Sequence, residues 1–148
     1  MTITVQAFLL CNSVGIDETS RNTDILGVFD VVLAKRFPAA HMNCAVYARL
    51  HVWDEPKSSL SIVMETPAVT KTQLLAPMDV KPDLNGRVKL ICRLERLALP
   101  QEGIYTLQLL VNGKTRSEYH VTAGKRRSRP LPKGIEQPGR RSASGESG

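Results

Sequence analysis

Aromatic side chains make up only 5% of this 148-residue chain, and a single Trp is among them. That scarcity argues against the base-stacking surface that binders of single-stranded nucleic acid use. Cysteine is scarce too. Cys11, Cys44 and Cys92 are an odd number, no two have C-x-x-C spacing, and each sits inside an apolar run. A thiol there behaves as a small hydrophobe. Reduced core residues in a reducing compartment are therefore expected. A zinc site would need His or Cys clusters that are missing. The first apolar run has no basic residue ahead of it and is broken by Gln6. Neither a leader peptide nor a membrane span is expected. No Asn-x-Ser/Thr acceptor occurs either. Cytoplasm is the expected address.

Signals for chemistry are equally thin. Gly113-Lys114-Thr115 imitates the end of a phosphate-binding loop, but Gln108 stands where the earlier Gly belongs. The triplet also lies in a hairpin, not between a strand and a helix. The serines form no Gly-x-Ser-x-Gly elbow, the tight turn that would expose a nucleophile. Asp54 and Glu55 are adjacent, and no carboxylate pair suggests glycoside hydrolysis. His51 and His120 fall on the polar faces of their strands and would pair only if those strands adjoin. His41 follows Phe37-Pro38 in what reads as a connection, where it either caps backbone groups or binds a ligand. No catalytic, cofactor-binding or metal-binding residue is assigned, and no cofactor is expected.

What is present is first a division of charge. Residues 1–124 hold 13 Lys/Arg against 12 Asp/Glu, whereas residues 125–148 hold 7 against 2. The net charge of +6 therefore belongs mostly to the C-terminal segment. That segment is rich in Arg, Ser, Pro and Gly and nearly free of apolar residues after Leu131 and Ile135. Such a composition cannot bury enough surface to offset its ordering entropy. A domain over 1–124 and a disordered basic tail over 125–148 are expected. Lys125, Arg126, Arg127, Arg129, Arg140 and Arg141 are the candidate polyanion-binding residues.

Second, the domain alternates with period two. Cys44, Val46, Ala48, Leu50 and Val52 share one face of a run over 43–53, and Asn43, Tyr47, Arg49, His51 and Trp53 share the other. Over 87–97, Val88, Leu90, Cys92 and Leu94 face in, while Arg87, Lys89 and Arg93 form a basic stripe facing out. Such alternation marks half-buried strands. Further runs lie at 3–14, 24–34, 59–65 and, more weakly, 68–76. The Ala7–Cys11 run is apolar on both faces, which suits a strand covered on both sides. Pro77 to Gly86 reads as a loop, with two prolines, two Asp and an Asn-Gly. Asn112-Gly113 joins runs 103–111 and 114–122, and an Asn-Gly pair suits the two positive-φ positions of a type I′ hairpin turn. Seven or eight strands with turns at short intervals predict an all-β, antiparallel β-sandwich, immunoglobulin-like or related. Gly103-x-Tyr105 at the entry to the second-last strand reads either as a tyrosine corner, whose hydroxyl bonds backbone a few residues upstream, or as a plain buried strand tyrosine; both readings make the residue structural.

Four short motifs carry a further signal: Ala7-Phe8-Leu9-Leu10-Cys11-Asn12-Ser13, Leu26-Gly27-Val28-Phe29-Asp30, Phe37-Pro38 followed by His41, and Pro100-Gln101-Glu102-Gly103-Ile104-Tyr105. Through them residues 5–122 resemble a family of short bacterial all-β proteins, a domain of unknown function. The resemblance implies the fold and no activity; the basic tail lies outside it.

The sequence thus points to a non-catalytic interaction or accessory module in the bacterial cytoplasm, with an unknown protein partner taken up at a sandwich edge and no membrane. The alternative is sequence-nonspecific binding of nucleic acid or another polyanion through the tail. A third reading is an enzyme with a loop-built site; His41 beside a carboxylate in a pocket would favour it.

Overall fold

The computed structural model describes residues 2–53 and 57–126. Nine strands and no helix occur among them: β1 (Thr2–Ile16), β2 (Thr23–Val28), β3 (Val31–Ala34), β4 (Ala39–Trp53), β5 (Ser58–Glu65), β6 (Lys71–Val80), β7 (Arg87–Leu99), β8 (Gly103–Val111) and β9 (Lys114–Lys125). They form two sheets, one in the order β2-β1-β4-β7 and one in the order β3-β9-β8-β5-β6.

The alternating runs explain the core. Val46, Ala48 and Leu50 of β4 and Val88, Leu90 and Cys92 of β7 join Leu60 and Ile62 of β5, Leu107 and Leu109 of β8 and Val121 of β9 in one buried cluster. Residues of both sheets meet there, so the sheets pack face to face. Each fully buried Leu or Ile contributes about 1.5–3 kcal/mol from area removed from water. The hairpin tip is as expected: Asn112 and Gly113 have φ of 52° and 82°, and Val111 pairs with Lys114. Tyr105 is fully buried, and its hydroxyl donates to the Gln101 carbonyl at 2.6 Å.

Several expectations are corrected. The run 24–34 is two strands in different sheets. The chain turns at Gly27, with φ of 67°, and crosses at Phe29-Asp30. Phe29 N–H donates to the Leu10 carbonyl, and the Asp30 carbonyl accepts Thr122 N–H. The Phe29 carbonyl accepts the Tyr119 hydroxyl at 2.7 Å. The count is therefore nine strands rather than seven or eight. The sheets are not wholly antiparallel, because β3 runs parallel to β9. Residues 77–80 belong to β6 and not to a loop; β6 is an edge strand with a register shift opposite Leu60 and Ile62, where Pro77 is tolerated. His41 lies on β4, not in a connection. β9 runs through Lys125, three residues beyond the run 114–122.

Candidate functional site

The outer face of the four-stranded sheet is not the plain polar face its alternation suggests. Cys11, Val14, Ala45 and Tyr47 form a second buried cluster there, with Ala7, Leu9, Ile25 and Ile91 packed against it. Two long-range bonds show how it is covered. Lys89 Nζ donates to Thr23 Oγ1 at 2.7 Å, and Arg93 Nη2 donates to the Val14 carbonyl at 3.0 Å. β2 and β7 are opposite edges of this sheet, about 14 Å apart if it were flat. A lysine side chain spans that gap only because the sheet curls, bringing β2 and the end of β1 over the faces of β4 and β7.

The curl makes a trough of about 990 Å³, lined among others by Tyr47, Arg49, Arg87, Lys89, Arg21 and Asp24. Register places the cations: Arg49 is the cross-strand partner of Lys89, and Arg87 that of His51. Side chains at partner positions have Cβ atoms about 4.5–5.5 Å apart, and like charges so placed repel. Arg21 is added by the loop before β2. Asp17 builds that loop: its Oδ1 accepts the N–H groups of Thr19 and Ser20 at 2.8 and 2.9 Å, and its carbonyl accepts Arg21 N–H. The bond from Ser20 N–H and then that from Thr19 hold the Asp17 carboxyl below its usual range.

The carboxylates of the trough are Asp24 and Asp83. Asp83 Oδ1 is spent on the turn before β7, accepting the N–H groups of Asn85 and Arg87 at 2.8 and 2.9 Å. The Arg87 N–H bond is the main cause of its lowered pKa. Among the described residues the ion pairs are Lys57–Asp79 and Lys125–Glu102. Neither neutralises a trough cation.

A second hollow of about 730 Å³ continues the trough past Arg87 and Asp83 to His51 and Trp53. The His51 and Trp53 rings lie 3.7 Å apart at 30°, and His51 Nε2 is 2.6 Å from the Asn85 carbonyl. That contact makes Nε2 the protonated nitrogen.

The other sequence candidates lie elsewhere. Lys125, at the end of β9, pairs with Glu102 at 4.0 Å, and Arg126 N–H bonds the Ala34 carbonyl. Arg127, Arg129, Arg140 and Arg141 fall outside the described residues. His41 Nε2 is 3.1 Å from Asn12 Oδ1, and its ring packs on Phe29 at 4.4 Å. The hollow beside it, about 430 Å³, is lined by Asn12, Phe29, Val31, Val32, Leu33, His41 and Arg126. Among the described residues it brings His41 no carboxylate. His51 and His120 sit in different sheets and form no pair; His120 Nδ1 instead meets Thr106 Oγ1 at 3.1 Å. Cys11, Cys44 and Cys92 are buried and unpaired. Sequence reasoning saw Arg87, Lys89 and Arg93 but missed Arg21 and Arg49, which join the stripe only through strand pairing and curl.

Fold and trough together define an all-β, two-sheet domain with a basic concave face. The chain belongs to the family of unknown function DUF6941, whose model matches residues 6–123. No curated protein matches it. Among solved structures it is similar to the Pseudomonas fluorescens alkylpurine DNA glycosylase AlkC bound to DNA containing an abasic site analog, with a TM-score of 0.51 and 6% identity. The match covers 82% of this chain and 30% of the glycosylase, and the likeness is one of fold alone.

Proposed function

We propose that the protein is a non-catalytic binding module for an anionic polymer, seated in the trough of the four-stranded sheet. One observation carries the reading. Arg21, Arg49, Arg87 and Lys89 line a single concavity with only Asp24 and Asp83 against them; Asp83 attracts Arg87 from beyond contact, and no carboxylate lies within ion-pair distance of any of the four among the described residues. Facing cations cost stability unless an anion offsets their repulsion. The two sheets and the Tyr105–Gln101 corner support an immunoglobulin-like arrangement. Three buried, unpaired thiols support a reducing, cytoplasmic address.

The test is a salt series with heparin, comparing the full chain with its Arg49→Glu/Lys89→Glu variant. Binding is expected to weaken steeply with salt and to fall at least about ten-fold in the variant. Unchanged binding by the variant would move the site to the C-terminal segment, where Lys125, Arg126, Arg127, Arg129, Arg140 and Arg141 would carry it.

A second reading, a protein partner, is favoured by four exposed apolar residues on edge strands: Leu26 and Val28 of β2, Val31 and Leu33 of β3. An unguarded edge accepts a partner strand. Its test is capture of a co-purifying protein by the native chain and its loss with Val28→Lys/Val31→Lys.

A further inference from the structure

Trp53 is the only Trp of the chain, and it is 46% exposed. So large an apolar ring is ordinarily well buried. It stands on the same outer face of β4 as Arg49 and His51, since side chains alternate along a strand. Its position is fixed from behind. His51 stacks on it and is itself anchored to the Asn85 carbonyl. Gly86 makes room for that anchor: a Cβ there would stand 2.8 Å from His51 Cδ2 and from the Val52 carbonyl oxygen. The indole is thus a held platform and not a loose side chain. Arg87, the register partner of His51, flanks it, and the Arg49–Lys89 pair lies about 14 Å along the strand, two strand repeats away.

The geometry points to a single-stranded nucleic acid as the ligand, with its backbone along Arg87, Lys89 and Arg49 and one base stacked on Trp53. This rests on the anionic-polymer reading above. A basic face alone holds heparin, duplex and single strand by charge, without regard to bases. An exposed ring at the end of the row adds a partner that only an unstacked base can meet, because duplex bases stack on one another. Composition argued against an extended stacking surface, and one ring does not make one. It engages one base, which is enough to favour a single strand over a duplex. Stacking on one aromatic side chain contributes affinity on the order of ten-fold.

The experiment uses the full chain and its Trp fluorescence, titrated with twelve-nucleotide oligo(dT) and oligo(U), a twelve-base-pair duplex, and heparin. Quenching by either oligonucleotide and none by heparin is expected, and the two oligonucleotides distinguish a DNA from an RNA ligand. Trp53→Ala should weaken oligonucleotide binding about ten-fold and leave heparin binding unchanged, and Trp53→Phe should restore most of the loss. Oligonucleotide binding without quenching overturns the inference, as does equal affinity for the duplex or equal loss for oligonucleotide and heparin. In those cases the anionic-polymer reading stands, because heparin still binds. Failure of heparin and oligonucleotides alike overturns both. The wild-type quenching result does not depend on how well Trp53→Ala folds.

Discussion

The Tyr105 hydroxyl is tied twice to Gln101: it donates to the carbonyl at 2.6 Å and accepts the backbone N–H at 3.0 Å. Tyr105 itself is fully buried at the start of β8. The side chain therefore fixes the turn that leads from β7 into the central strand of its sheet. Removing the hydroxyl leaves two backbone groups without a partner, and each such loss costs about 1–3 kcal/mol where water cannot replace it. Tyr105→Phe should lower the unfolding free energy by about 2 kcal/mol in urea titration. A midpoint equal to that of the native chain would show the corner to be incidental.

Two glycines with positive φ separate backbone strain from steric conflict. Gly86 has φ of 76° and no room for a Cβ, whereas Gly113 has φ of 82° and open space around it. Gly113→Ala meets only the left-handed backbone cost, about 1 kcal/mol. Gly86→Ala meets that cost and also presses on the Val52 carbonyl oxygen, so its loss should exceed that of Gly113→Ala by at least about 1 kcal/mol. It should also change Trp53 fluorescence through His51, which Gly113→Ala should not. Equal losses in the two variants would contradict this account.

Strands β4 and β7 and the Asn112-Gly113 hairpin were legible because each is specified locally, by alternation or by a turn dipeptide. The break at Phe29-Asp30 was not. Apart from Gly27 and Asp30, Ile25 to Leu33 is apolar, and what divides it is the bonds to Leu10, Tyr119 and Thr122, all distant in sequence. The parallel pairing of β3 with β9 is hidden for the same reason. Pro77 suggested a loop because its tolerance depends on β6 being an edge, a property of the assembled sheet. Tyr47 and Arg49 read as one solvated face; the curl buries the first and leaves the second exposed in the trough.

The cysteines give the fold an alkaline limit. Burial, and then the neighbouring Cys11 and Cys92, push the Cys44 thiol from 9.0 to about 11. Burial also raises Cys11 and Cys92. Below pH 9 the folded and unfolded chains both keep these protons, so the stability contribution is fully present. Between 9 and 11 the unfolded chain ionises first, and stability falls as pH rises. A shift of this size at Cys44 alone corresponds to roughly 2–3 kcal/mol. Cys44→Ala should therefore lose less stability than the native chain between pH 8.5 and 11, measured by urea midpoints at each pH. Parallel curves for the two proteins would rule the thiol out as a source of the alkaline loss.

Arg49 and Lys89 face each other across β4 and β7, with no carboxylate within ion-pair distance of either among the described residues. If the trough serves an anion, the unliganded domain should be more stable without one of these charges. Arg49→Gln keeps most of the aliphatic stem and removes the repulsion, a gain of about 0.2–1 kcal/mol. Lys89 is the poorer choice because its ammonium also bonds Thr23. The gain should be largest at low ionic strength and shrink as the Debye length falls toward about 3 Å at 1 M salt. Heparin should reverse the order, raising the midpoint of the native chain more than that of Arg49→Gln, because at a given concentration a tighter ligand stabilises the folded state more. Thermal midpoints of both proteins across a salt series, with and without heparin, decide the matter. A variant less stable than the native chain at low salt would mean that Arg49 is held by contacts that offset its repulsion, and a surface so balanced has no need of an anion.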